Sequence, residues 1–187
     1  MPLLMGAGAA VLAIGILALL MSTNVKTAEK PVYVIEERVD QIRGWADQFG
    51  LDPAYVAAVV MAESGYDENS CSEVNAQGLM QILPETGDWI AGKFDETYVE
   101  GSLYDPDTSL KYGCWYLAWL MDRYNGSMIC ASSAYHQGQG TVDKWLTDPE
   151  YNWDGTVENM PSEATATYVG RILKYYDRYK EIYTQAA

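Results

Sequence analysis

The chain has 187 residues, of which 49% are hydrophobic and 12% aromatic, with fifteen tyrosines and six tryptophans. That composition excludes a disordered chain and leaves roughly 150 to 160 residues for one ordinary domain once the apolar start is set aside. The formal net charge is −14, and every charged residue lies at or beyond Lys26. So acidic a domain repels nucleic-acid phosphates, and no basic patch offsets the repulsion, so no nucleic-acid partner is expected. The three cysteines, Cys71, Cys114 and Cys130, include no CxxC pair. A zinc site is therefore not expected; the readings left are one disulfide or buried free thiols.

Pro2 to Met21 reads PLLMGAGAAVLAIGILALLM, without a charge. About twenty apolar residues are what a helix needs to cross the hydrocarbon layer. A cleaved signal would carry a basic n-region and a small-residue cleavage site, and neither is evident. The expected divisions are a transmembrane anchor or signal segment over 1–22, a polar tether over 23–32 and a folded domain over 33–185. Lys26 and Lys30 weakly favour a cytoplasmic domain by the positive-inside rule.

The remainder reads as helices joined by loops. Between Tyr33 and Phe49 the apolar residues Val34, Ile35, Val39, Ile42, Trp45, Ala46 and Phe49 recur at helical spacing, and Gly50 stops the helix. Asp52-Pro53 is an N-cap followed by proline at the first helical position. The helix so opened runs through nine consecutive apolar residues, Ala54 to Ala62, and must lie in the core. Ser64 to Gln77 reads as a loop. Gly78 to Ile90 reads as helical with a break near Pro84. Thr108 to Tyr124 is amphipathic, with Leu110, Cys114, Leu117, Met121 and Tyr124 on one side. Ser127 to Gln137, Thr141 to Leu146 and Ser162 to Thr184 complete the helices. The last places Tyr168, Ile172, Tyr175, Tyr176, Tyr179 and Tyr183 on one side. A mainly α architecture is expected, with Trp115, Trp119 and Trp145 in its core or with a tryptophan edge stacked on a ligand.

Glu63 follows the apolar run without a spacer. Desolvation and the negative end of the helix dipole both disfavour its carboxylate, as a general acid needs near neutral pH. A carboxyl at a helix end can also turn to water, so the position alone does not decide.

The surrounding motifs add to it. Glu63-Ser64-Gly65-Tyr66 is followed by a loop and then by Gln77-Gly78-Leu79-Met80-Gln81-Ile82-Leu83-Pro84-Glu85-Thr86. Further on come Tyr104-Asp105-Pro106 with Tyr112-Gly113 and Tyr116-Leu117, then Ala134-Tyr135-His136-Gln137-Gly138 with Val142 and Trp145, then Met160-Pro161 with Thr165 and Tyr168-Val169. In this order the blocks resemble the lytic transglycosylase family with a lysozyme-like SLT domain, over roughly Val34 to Tyr183.

That resemblance implies a lysozyme-like single domain and a peptidoglycan lytic transglycosylase. Such an enzyme breaks the bond between N-acetylmuramic acid and N-acetylglucosamine without water and leaves a 1,6-anhydro end. Glu63 matches the catalytic residue, acid first and then base. Ser72 matches a loop serine near the cleaved bond, Gln81 a glutamine that contacts the sugar, and Leu83 a position lining the cleft. Tyr135 matches a tyrosine that hydrogen-bonds the catalytic carboxyl. The residues also allow plainer roles: backbone geometry for Gly78, and core packing for Leu79, Met80 and Leu83. No metal or cofactor is implied. The implied partner is the glycan strand of peptidoglycan, met by a monomer outside the cytoplasmic membrane, anchored there or secreted if the first segment is cleaved. Two positions depart from the pattern. His136, the only histidine, stands where asparagine is usual, and is expected either to contact ligand or to pack. Ala164 stands where glutamate is frequent, with Glu163 one residue away.

Overall fold

The computed structural model describes residues 36–185. The anchor expected over 1–22 and the tether over 23–32 lie outside them. Among the described residues no helix is long and apolar enough to cross a membrane. The architecture is mainly helical, as expected. Its elements are α1 (Glu36–Gln48), α2 (Pro53–Glu63), α3 (Pro84–Ala91), α4 (Pro106–Arg123), α5 (Met128–Gln137), α6 (Gln139–Thr147) and α7 (Glu163–Gln185), with short 3-10 turns at Gly92–Phe94 and Ser102–Tyr104. Among the described residues the β pairing consists of two isolated bridges, Cys71 with Gln77 and Gln77 with Ile82.

The centre is α2. Every residue from Ala54 to Met61 is buried, so the helix is enclosed on all sides. Asp52 caps it by accepting from Ala54 N at 2.8 Å, and also accepts from the Tyr176 hydroxyl of α7 at 2.7 Å. Helix α7 packs along α2 more extensively than any other pair of elements, and α1 packs on it as well. Ile42 and Ala46 of α1, Leu110, Cys114 and Leu117 of α4, and Val169, Ile172 and Tyr179 of α7 complete this core. Tyr55 ties α2 to α5 through Ser132 Oγ at 2.8 Å. A second cluster forms around α5 and α6, where Trp145 and the loop residue Trp153 meet edge-on at 5.7 Å.

Two expectations change in detail. Asp105-Pro106 repeats the cap-and-proline signal of Asp52-Pro53, so α4 begins at Pro106, before the expected Thr108; Asp105 accepts from Thr108 N at 2.9 Å. Residues 78–82 do not form the expected helix. Gly78 (φ 74°) and Gln81 (φ 48°) are left-handed, and Gln77 and Ile82 bond each other across a tight turn. Helix α3 starts only at Pro84. The cysteines are all free, Cys71 exposed and Cys114 and Cys130 buried. Trp145 is buried as expected, whereas Trp115 and Trp119 are only half-buried.

Candidate active site

Glu63 is the last residue of α2 and is half-buried. Just beyond it, Ser64 locks the helix end to the turn that follows. Its hydroxyl proton is shared between Val60 O (3.2 Å) and Leu79 O (2.9 Å), and its oxygen accepts from Tyr66 N at 3.1 Å. The turn itself is packed without slack. A Cβ on Gly78 would stand 1.8 Å from Leu103 O, and one on Gly113 would stand 2.1 Å from Met80 Sδ. Both glycines therefore serve close backbone approach. The amide of Gln81 donates to Ser70 O (3.0 Å) and Gly78 O (2.9 Å). Both its hydrogens are committed, so it offers a ligand an acceptor, its amide oxygen.

The Glu63 carboxyl accepts from the Tyr168 hydroxyl of α7 at 2.5 Å. Burial pushes its pKa up from 4.5; the Tyr168 hydrogen bond and the positive charge of Arg171 pull it down, and the result is about 7. The resemblance implies this hydrogen bond for Tyr135. Instead the Tyr135 hydroxyl donates to Met80 O at 2.8 Å and braces the turn. Tyr135 still lies near the carboxyl, since negative charge on Glu63 contributes, after burial, to holding its phenol protonated.

Gln81, Leu83, Tyr135 and His136 line one groove of about 340 Å³, together with Ile82, Thr86, Tyr116, Gln137 and Gly138. Leu83 is 38% exposed there, which corrects the plainer expectation of a core residue; Leu79 and Met80, expected in the core, are fully buried. Glu63 is not among the lining residues, and neither is Ser72. The Ser72 oxygen accepts from Ala76 N at 3.0 Å and closes the loop between Glu63 and the turn.

His136 is exposed at the groove, with its ring stacked on Tyr168 (4.6 Å between centroids, 25° between planes). Its Nδ1 lies 3.2 Å from Thr165 Oγ1, a fully buried hydroxyl that also donates to Gln137 Oε1 at 3.2 Å. The same hydroxyl lies 3.0 Å from Ser162 Oγ, and which imidazole nitrogen carries the proton follows the tautomer. Burial, and then the charge of Arg171, lower the His136 pKa below 6.5. Ala164 and Glu163 are both exposed on the first turn of α7.

Tyr168 and Arg171 were not singled out from sequence as site residues. Tyr168 appeared in the last motif block, but nothing local pairs it with a carboxyl 105 positions earlier.

The arrangement can donate a proton from a carboxyl poised near neutrality to a group held in the adjoining groove. Comparison with known proteins agrees with the architecture. The family model described as the transglycosylase SLT domain matches residues 40–152. The soluble lytic murein transglycosylase of Escherichia coli K12 is 33% identical over 135 residues, 69% of this chain and 21% of that protein. The membrane-bound lytic murein transglycosylase C of Actinobacillus pleuropneumoniae serotype 5b is 27% identical over 164 residues, 75% of this chain and 45% of that one. Among solved structures, the 70 kDa soluble lytic transglycosylase of Escherichia coli superimposes with a TM-score of 0.71 at 29% identity, covering 76% of this chain and 24% of that one. The lytic transglycosylase of Pseudomonas aeruginosa gives 0.70 at 30% identity, with the same coverage. The chain thus spans about a fifth of the soluble relatives' length and about a quarter of the solved chains. On the match of residues 40–152, well over half of its length, the chain belongs to the transglycosylase SLT domain family.

Proposed function

We propose that the protein is a peptidoglycan lytic transglycosylase, with Glu63 as its single acid and base. The observation that carries this reading is the Glu63 carboxyl itself: half-buried, hydrogen-bonded by Tyr168, raised to about 7, and close to Tyr135 of the groove wall. In the first step its proton goes to the glycosidic oxygen as the bond to the anomeric carbon breaks, through an oxocarbenium-like state. In the second step the carboxylate takes the proton of the sugar's own 6-hydroxyl, whose oxygen bonds the anomeric carbon and closes the 1,6-anhydro ring. No water enters, and Glu63 returns to its starting state.

The alternative, hydrolysis, ordinarily uses a second carboxylate. The groove lining, which does not itself include Glu63, contains no carboxylate. Of the acids in the loop after Glu63, Glu68 is paired with Arg38 of α1, Asp67 caps its own turn at Asn69 N, and Glu73 is exposed. Gln81 supplies an acceptor to the sugar, Leu83 an apolar wall, His136 a ring nitrogen, and Ser72 closes the loop that follows Glu63. Tyr168 is the positioning group for Glu63, and the charge of Arg171 helps to set its pKa. The folded domain of 33–185 works as a monomer outside the cytoplasmic membrane, held there by the apolar segment of 1–22.

The test is the product of purified peptidoglycan digested by wild type and by Glu63→Gln. The expected product ends in 1,6-anhydromuramic acid, and the variant is slower by about 100- to 10,000-fold. Ends heavier by one water would overturn the reading in favour of a muramidase. Equal, negligible activity in both would overturn it in favour of a glycan-binding module.

A further inference from the structure

The groove leaves one aromatic surface unexplained. Trp89 of α3 is 40% exposed. Its indole stands edge-on to Trp115 (5.2 Å), Trp119 (5.6 Å) and Tyr116 (6.2 Å) of α4. Positions 115, 116 and 119 share one helical face. Tyr116 lies nearly parallel to Trp119 at 6.0 Å and tilts against Tyr135 at 5.4 Å. Tyr116 and Tyr135 both line the groove, as does Thr86, one turn before Trp89 on α3. The rings therefore form a shelf that starts inside the groove and leaves it over Trp89.

A residue that merely closed a core would be covered; this indole keeps two-fifths of its surface in water, at the head of three partly exposed rings. An apolar patch of this kind, rimmed by polar groups, marks a contact surface. Its rim is cationic in a chain of net charge −14. The Lys93 ammonium lies 5.1 Å from the Trp89 ring, and the Arg123 guanidinium 5.7 Å from the Trp119 ring, where Arg123 is also paired with Asp143. Lys93 is exposed, and its flexible stem can carry the ammonium off the ring to a ligand.

A flat π face that a flexible, exposed lysine covers and can uncover suits a pyranose. The polarised C–H groups of the sugar meet the negative face of the indole, and a lactyl or stem-peptide carboxylate meets the ammonium. We propose that Trp89, with Lys93 as a movable cover over its ring, is a glycan subsite outside the groove. It holds a sugar of the same peptidoglycan strand that Glu63 cuts, and so favours long strands over short fragments. This rests on the functional reading above.

The experiment measures binding by the full chain carrying Glu63→Gln, which holds strands without cutting them. It is titrated with soluble, uncrosslinked glycan strands of two lengths, a single disaccharide unit and a long strand, each with and without stem peptides. Trp89→Ala, Trp89→Leu and Trp89→Tyr are then added, with melting temperatures recorded for each. Leu and Tyr guard against a variant that unfolds, since both fill the space and only Tyr keeps a π face. Long strands are expected to bind roughly tenfold more weakly to the Ala and Leu variants, with Tyr close to Trp and the disaccharide unaffected. An undiminished affinity for long strands, an equal loss for both lengths, or Leu performing as well as Trp would each overturn the subsite. A loss confined to strands that carry stem peptides would overturn the sugar as its occupant. Failure of the Glu63→Gln chain to bind strands of any length would overturn the functional reading, and the subsite with it.

Discussion

Replacing Glu63 with glutamine is expected to stabilise the fold at alkaline pH while slowing the proposed chemistry. The folded carboxyl titrates at about 7 and the unfolded one at 4.5. Between those values the folded protein holds a proton that the unfolded chain has released. Stability therefore falls as pH rises through this window, by about 1.4 kcal/mol per pH unit, and levels off above it. The complete cost is about 3 kcal/mol; because part of the carboxyl still faces water, a gain of about 2 kcal/mol for Glu63→Gln at pH 8 is the expected size. It corresponds to a melting temperature higher by about 4–8 °C in a domain of this length. At pH 4.5 the two proteins should melt together, since glutamine and the protonated acid are alike in charge and shape. Differential scanning calorimetry of both proteins from pH 4.5 to 8.5 reads the effect directly, and their difference isolates Glu63 from every other titrating group. Parallel curves across the range would refute the argument, because they would mean that the carboxyl ionises in the folded state as it does in water.

The same pKa governs the rate. Activity should decline on the alkaline side with an apparent pKa of about 7, as the proton needed for the first step is lost. Tyr168→Phe removes the hydrogen bond that lowers that pKa, so the alkaline limb should move up while the rate drops about 10- to 100-fold; an unmoved limb in a pH–rate profile would argue against the contact. His136 faces Tyr168 and Arg171 of α7, with Glu63 at the far side of the Tyr168 hydroxyl. It should stay neutral to lower pH than a free imidazole and, on gaining charge, convert its acceptor nitrogen to a donor; His136→Asn should flatten the acid limb of the profile that wild type shows. Gly78→Ala places a methyl 1.8 Å from Leu103 O at a left-handed φ of 74°. A loss of more than about 3 kcal/mol is expected in chemical denaturation, and a loss under about 1 kcal/mol would show that the turn can relax.

What could be read in the sequence was local. The apolar run ending in Glu63 announced a buried helix with a carboxyl at its end, because nine consecutive apolar residues admit no solvent face. Gly78 was legible as a backbone position, although its left-handed φ and the contact with Leu103 were not, and the helix expected over 78–82 is a turn for that reason. The choice between two phenols was illegible. Tyr135 and Tyr168 both lie near the carboxyl, and which hydroxyl reaches it depends on how far α7 has slid along α2, a register set by Tyr176 on Asp52 and by the packing of Val169, Ile172 and Tyr179. Motif order carries no such information. Trp89 was missed for a different reason. A tryptophan in a helix reads as core, and only the positions of Trp115, Tyr116 and Trp119 across from it show that it crowns a shelf.

The network around Glu63 bears on why one carboxyl can serve in both proposed steps. A residue that gives a proton and then takes one must be present in each form during a single turnover, so a pKa far from neutrality would make one of the steps slow. Burial alone would hold the carboxyl protonated and make it a reluctant donor. Tyr168 and Arg171 oppose burial, one by donating to the anion and the other by its charge, and bring the balance to about 7. The two act on Glu63 from the same helix, one turn apart, Tyr168 by contact and Arg171 by its charge. His136 stacks on the first and is held neutral partly by the second, so the family's asparagine position has become part of the same balance. The departure at His136 is therefore better understood through Tyr168 than through the sugar alone. A variant at 136 should be judged first by where its pH limbs fall, and only then by its affinity for glycan.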